Sequence, residues 1–596
     1  MSSPDPSTAR WPAHWAWLGI ALATALGYLF ELGGDHIPRN GDELVYAHIA
    51  RLTAESGHWL PLVSSYDFMR NTKPPLLFWQ AMVAGGWGEH WTLLDLRLPS
   101  VIYLWAAALM VGLLAWKVSR NAGPGAEPAR PRDRARLNHH AVSMGAIAAT
   151  LFLSFFSTYR YGRPYLTSAP ETFWLFGVFF ALAWSPSRWL ASSWKFPLIA
   201  GLAIGIGCLY KSFAMVVPVG FGLALCYQTL HARRAPWQLL RPGFFTDGLK
   251  VVAICAIAVA VFSLWFALDP QPGEVWREFV VGENAGKFKS SPGYLKVAFS
   301  GSGGILVILT GYFVNAGLLF PLTVGCAWAA WRSYRTGRRA SPGVSDTEKV
   351  MWLWLLALAL VFTLPDQRSA RYLIPAMPAV AVLTALYWSR IPRIWFSLTL
   401  LFCALGALAL GQIAYGAIRA TQDKAVYPPL FWILLGVIEI LCVIGMFKKD
   451  VTRAITVPAG FVVLFALAWV TAPFNGPLGH FSPETVDRLQ GQQLMVPNNF
   501  NGQFERYQFF LKGAKIIPYA APQPVDFEDV DALLKSSRYA LVLRRIGQAP
   551  CQHCRVLDVR WDLRSRQDAS EGRWAAITTP DTFWYAKEYL VERIDR

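Results

Sequence analysis

Apolar runs of bilayer length recur along this chain and leave it few ways to fold. They lie near 13–32, 97–117, 141–157, 168–184, 196–210, 213–230, 249–268, 303–331, 350–364, 372–389, 393–416, 428–447 and 454–471. A helix needs about 20 apolar residues to cross the hydrocarbon core. Inside that core each backbone N–H and C=O must find its partner within the protein, which favours helices. About thirteen such stretches predict a polytopic α-helical membrane protein. Only 16% of the 596 residues are charged, where a soluble domain carries roughly 25%. The first run is read as a retained span, because Glu31 and Asp35 follow it where a signal peptide would end in small residues.

The formal net charge of +17 would point to nucleic acid in a soluble chain. Here the Lys and Arg residues concentrate at 117–136, 233–241, 332–339 and 448–453, between alternate runs. That is the positive-inside pattern. The basic excess is therefore a topology signal, and no nucleic-acid partner is needed to explain it. It sets the N-terminus in the cytoplasm and, with an odd span count, residues 472–596 outside.

Three stretches between or after the spans are distinctive. Residues 33–96 form a long external loop with helical spacing over Asp42–Ser56 and a short apolar segment, Pro74–Gly86, that predicts an interfacial helix. Residues 269–302 form a second, Gly/Pro-punctuated external loop. From 472 onward short β-rich runs (494–497, 539–545) alternate with a helical stretch, Asp526–Ser537, predicting a small mixed α/β domain. The internal loop 118–139, rich in Ala, Pro, Gly and Arg, is expected to be disordered. Six cysteines sit in apolar runs as small core residues. Cys551 and Cys554 flank His553 in the tail, and a local disulfide is expected there over a zinc site, since no further ligands are near.

The spans hold few ionisable groups, and no internal repeat is visible; both features argue against a coupled transporter. Glu439 is the exception, expected to pair with a neighbouring span. The external loops and span ends instead supply Asp42, Glu43, Lys73, Arg160, Arg163, Glu171, Lys211, Glu283, Lys287, Arg368, Arg371 and Tyr372. A cation-rich cluster facing one side suits an anionic ligand such as a phosphate. Any one of these cations could equally reach lipid headgroups.

Six stretches in order resemble a known superfamily: GDELVYAHIARLTAESGHWL (41–60), NTKPPLLFW (71–79), LRLPS (96–100), GIGCLYKSFAMVVP (205–218), GENAGKF (282–288) and ARYLIPAMPAVAVL (370–383). They are similar to the bacterial aminoarabinose transferases and protein O-mannosyltransferases of the GT-C fold. The resemblance implies a catalytic membrane domain over 1–471 and a periplasmic α/β domain over 472–596. It implies a polyprenyl-phosphate sugar donor, an envelope acceptor such as lipid A, and an inner-membrane location with the site facing the periplasm. The same donor chemistry with a protein or polysaccharide acceptor is the alternative. By position, Asp42 would be the catalytic carboxylate, with Glu43 and Glu171 as supporting acids. Lys73, Lys211, Lys287, Arg371 and Tyr372 would hold the donor phosphate, with Glu283, Asn284 and Arg163 as further loop candidates. No cofactor is required by this reading; a divalent metal stays open. The chain departs from the aminoarabinose transferases at Val45, Arg70 and Thr72, where they carry Arg, Tyr and Glu.

Overall fold

Each of the thirteen apolar stretches is helical, as backbone hydrogen bonding in a bilayer demands. The computed structural model describes residues 13–37, 42–66, 69–121, 131–231, 243–288, 294–299, 303–336, 342–498, 502–520, 529–564, 572 and 574–594. Among these, seven helices are long and apolar enough to cross a membrane alone. An eighth crossing forms if 137–154 and 156–162, bent by 61° at their junction, count as one span. The chain is a multi-pass membrane protein.

The first seven helices are α1 (Ala13–Gly27), α2 (Asp42–Glu55), α3 (Leu76–Ala84), α4 (Leu93–Asn121), α5 (Pro131–Ser154), α6 (Phe156–Gly162) and α7 (Ser168–Trp184). Small residues let neighbouring spans approach closely. A Cβ at Gly145 of α5 would stand 2.8 Å from the Gly112 carbonyl of α4. Gly201 and Gly205, one turn apart on Lys195–Cys208, meet Ile257 and Val261 of Phe244–Leu268 in the same way.

The segment expected to be disordered, 118–139, is helical at both ends. α4 runs on to Asn121 and α5 starts at Pro131, a residue suited to a first helical turn. The centre of that loop lies outside the described residues. Glu439 does not form the expected pair: its Oε1 is buried with no hydrogen-bond partner among the described residues.

The last part of the chain folds into a five-stranded sheet ordered β2-β1-β3-β5-β4, with β1 Gln493–Pro497, β2 Lys515–Tyr519, β3 Tyr539–Arg544, β4 Cys554–Leu563 and β5 Tyr585–Arg593. β1 pairs in parallel with β2 and β3, and β5 lies antiparallel between β3 and β4. Val530–Ser536 is the helical stretch, capped by the Asp529 carboxylate. Cys551 and Cys554 are joined as a disulfide at the start of β4.

Candidate active site

The site is built where the first loop folds back onto the membrane helices. α2 opens on two acids, Asp42 and Glu43, which suit the positive end of a helix dipole. Asn71–Pro75 then turns the chain into α3, and the Leu76 amide donates to the Leu209 carbonyl at 3.3 Å. That bond brings Lys73 and Lys211 to one mouth. The loop that follows Leu268 closes the same mouth. There Pro272–Val275 leads into a π-helical stretch, Trp276–Asn284, whose wider turn re-aims its side chains. Glu278 accepts from the Asn71 amide at 3.1 Å, so the two loops are stitched together.

Three cations converge here, each against a carboxylate. Arg371 Nη2 lies 3.2 Å from Asp42 Oδ2. Lys211 Nζ donates to Glu171 Oε2 at 2.6 Å, and Lys73 Nζ to Glu283 Oε1 at 2.8 Å. The pairs form one site. Glu171 feels the charges of Lys211, Arg371 and Lys73, and Tyr46 of α2 those of Asp42, Arg371 and Glu283. Burial pushes the Tyr46 phenol well above its usual range, and the Asp42 charge adds to this. The Arg371 guanidinium also lies over the Tyr161 ring, 4.9 Å from its centroid. Asp42 and Arg371 side chains keep 31% and 38% of their surface exposed, so an incoming ligand can reach both.

Other expected residues take supporting places. Asn284 is buried, accepting from Ser212 Oγ and donating to the Phe279 carbonyl, both at 2.8 Å. Tyr372 packs its ring on Phe362. The Lys287 side chain lies outside the described residues.

Glu43 is fully buried and clasps Arg97 of α4 at 2.7 and 2.9 Å, while accepting the Tyr165 amide at 2.8 Å. That makes it an anchor of α2 where a supporting acid was expected. Arg163 is likewise fully buried, donating to the carbonyls of Tyr28 and Phe30 and to the Tyr159 hydroxyl. It faces no ligand. Arg97, Tyr46, Tyr161 and Ser212 were missed in the sequence. A lone Arg inside LRLPS, at the edge of an apolar run, was the signal for the first.

Among the described residues, one group of acids and histidine is close enough to hold a metal ion: Asp35, His36 and Asp562, all buried. Arg506 Nη2 already bridges the two carboxylates, at 2.5 and 2.8 Å, so the fit to a cation is poor.

No protein-family model matches the chain. A crystal structure of ArnT from Cupriavidus metallidurans bound to undecaprenyl phosphate superposes with a TM-score of 0.56. The match covers 96% of this chain and 98% of that one at 17% identity. This chain has the GT-C fold of ArnT. The apo form of the same ArnT agrees, with a TM-score of 0.54 and 19% identity over 92% and 97% of the two chains. Sequence relatives point the same way. The undecaprenyl phosphate-alpha-4-amino-4-deoxy-L-arabinose arabinosyl transferase 2 of Proteus mirabilis is 23% identical over 507 residues, 80% of this chain and 81% of that protein. Transferase 1 of Sodalis glossinidius is 26% identical over 381 residues, 62% of this chain and 58% of the relative.

Proposed function

We propose that this chain is an inverting glycosyltransferase of the bacterial inner membrane. It moves a sugar from undecaprenyl phosphate to an envelope acceptor, lipid A, on the periplasmic side. The observation that carries the reading is the meeting of Asp42 with Arg371, Lys73 and Lys211 at one mouth between external loops and membrane helices. The acceptor hydroxyl must lose its proton as its oxygen attacks the anomeric carbon, and Asp42, a part-exposed carboxylate at this mouth, is placed to take it. As the bond from that carbon to the lipid phosphate breaks, the phosphate gains negative charge. Fixed cations stabilise that charge without reorganising at the moment of reaction. The carboxylates paired with Lys73 and Lys211 hold these cations in place before the donor arrives. Attack from the face opposite the phosphate inverts the sugar. Positive loops at 117–136, 233–241, 332–339 and 448–453 support the orientation. On that orientation, residues 1–471 form the membrane domain that carries the site and 472–596 a periplasmic domain. Like the named relatives and the lipid-bound ArnT, the chain would take its donor from undecaprenyl phosphate, and the aminoarabinose donor is the first to try.

The test is transfer by the purified protein in detergent, with undecaprenyl-phosphate aminoarabinose and lipid A, read by mass spectrometry. A lipid A product heavier by one sugar residue is expected. Unmodified lipid A, with a known aminoarabinose transferase active in parallel, would overturn the acceptor and donor together.

A further inference from the structure

Helix α2 begins at Asp42, and the sheet domain grips it further along. The grip comes from one short turn, Gln503–Glu505, and the residues beside it. Glu505 is fully buried and accepts from Arg51 Nε at 2.5 Å and Arg51 Nη2 at 2.9 Å. His48 Nδ1 lies 2.9 Å from the same carboxylate. The Ser65 amide donates to His48 Nε2 at 3.3 Å, so a neutral ring carries its proton on Nδ1, facing Glu505. His48 and Arg51 stand one turn apart on one face of α2.

Gly502 closes on the same helix. Its φ is +75°, and a Cβ there would stand 2.9 Å from the Val45 Cα and 3.0 Å from the Val45 nitrogen. Arg506, next after Glu505, ties Asp35, in the bend that follows α1, to Asp562 of β4. The helix is thus held at Val45, His48 and Arg51, while Glu43 on Arg97 fixes its first turn to α4. Apolar packing alone lets a helix slide or roll. A bidentate Arg–carboxylate pair fixes both register and rotation.

We infer that Glu505, on the turn that Gly502 starts, is a positioning residue for Asp42: the sheet domain sets the place of the proton-accepting carboxylate without touching donor or acceptor. The inference rests on the transferase reading of Asp42. Loosening the grip should leave the donor-binding cations where they are and shift the carboxylate. The loss then falls on kcat while the donor KM holds.

Two glycines with the same backbone strain make the test. Gly502 and Gly491 have φ of +75° and +73°, but a Cβ at Gly491 meets nothing within 4 Å. Gly502→Ala therefore pushes on α2, and Gly491→Ala only strains its own turn. A misplacement of about 1 Å costs up to ~10²-fold, so Gly502→Ala should lower kcat by about tenfold or more with donor KM little changed. Gly491→Ala should keep the wild-type kcat. Equal kcat in the two variants, or a change in KM alone, would overturn the inference. Should Gly502→Ala fail to fold, Arg51→Gln is the milder probe, since it leaves His48 on Glu505. It should lower kcat at unchanged KM, with Arg51→Lys recovering part of the loss; a wild-type kcat in Arg51→Gln overturns the inference equally. Wild-type protein without any sugar transfer would instead bring down the transferase reading, and this inference with it.

Discussion

Asp42 and Glu43 are neighbours in sequence with opposite surroundings. Asp42 is part-exposed beside Arg371, whereas Glu43 and Arg97 are both fully buried in a bidentate pair. Removing one partner of a buried pair strands the other charge, at a cost of about 3–5 kcal/mol. Glu43→Gln should therefore lower the thermal midpoint sharply, and any loss of transfer should follow the loss of folded protein. A Glu43→Gln protein with an unchanged midpoint would contradict the anchor role. The lysines divide similarly. Glu171 is fully buried against Lys211, but Glu283 is one-third exposed against Lys73. Lys73→Ala should cost transfer alone. A charge-assisted hydrogen bond is worth roughly 1.5–3 kcal/mol, so the loss should be about ten- to a hundredfold. Lys211→Ala should cost both transfer and stability. Equal midpoints for the two variants would contradict this split.

At the scale of elements, legibility followed periodicity. α2 and α3 were visible because their apolar spacing is local and their ends are marked, by Asp42 and by Pro75 and Gly85. β1 and β3 were visible as short β-rich runs. β4 and β5 were not, because alternating charges such as Arg560, Asp562 and Glu588 hide them. Those charges are buried: Arg560 donates to Glu588 Oε2 at 2.5 Å, across the sheet. A buried charge pair looks like a solvated face in sequence. The same network predicts a pH response at the join of loop and sheet. Burial lowers His36 to about 4 from 6.5, against the opposing pull of Asp35 and Asp562. The unfolded chain then binds more protons between those values. Stability present above about 6.5 is lost as pH falls towards 4, by on the order of 3 kcal/mol. Asp562, beside Arg506 and Arg560, is held down to about 2 and stays charged through that window. The thermal midpoint of the wild type should fall from neutral pH to about 4.5, and that of His36→Gln should fall less. Parallel falls would contradict a role for His36.

For the whole molecule, the sequence conveyed the bilayer-spanning class because the length and composition of the apolar runs encode it. Which residues would meet was hidden. Asp42 finds Arg371 and His48 finds Glu505 across more than 300 residues, and local pattern says nothing about such contacts. The orientation is checked by single cysteines at positions 130 and 480. An impermeant thiol reagent added outside should label 480 and miss 130, and the reverse would invert the placement of the site. In the proposed reaction this fold holds Asp42 where a donor sugar and an acceptor hydroxyl meet. Asp42→Asn tests it most directly, because Asn keeps the shape and serves a helix start as well as Asp does. In detergent, with the thermal midpoint read on the same sample, the variant should stay folded and lose at least ~10² in transfer from undecaprenyl-phosphate sugar. A folded Asp42→Asn protein that transfers at the wild-type rate would contradict it.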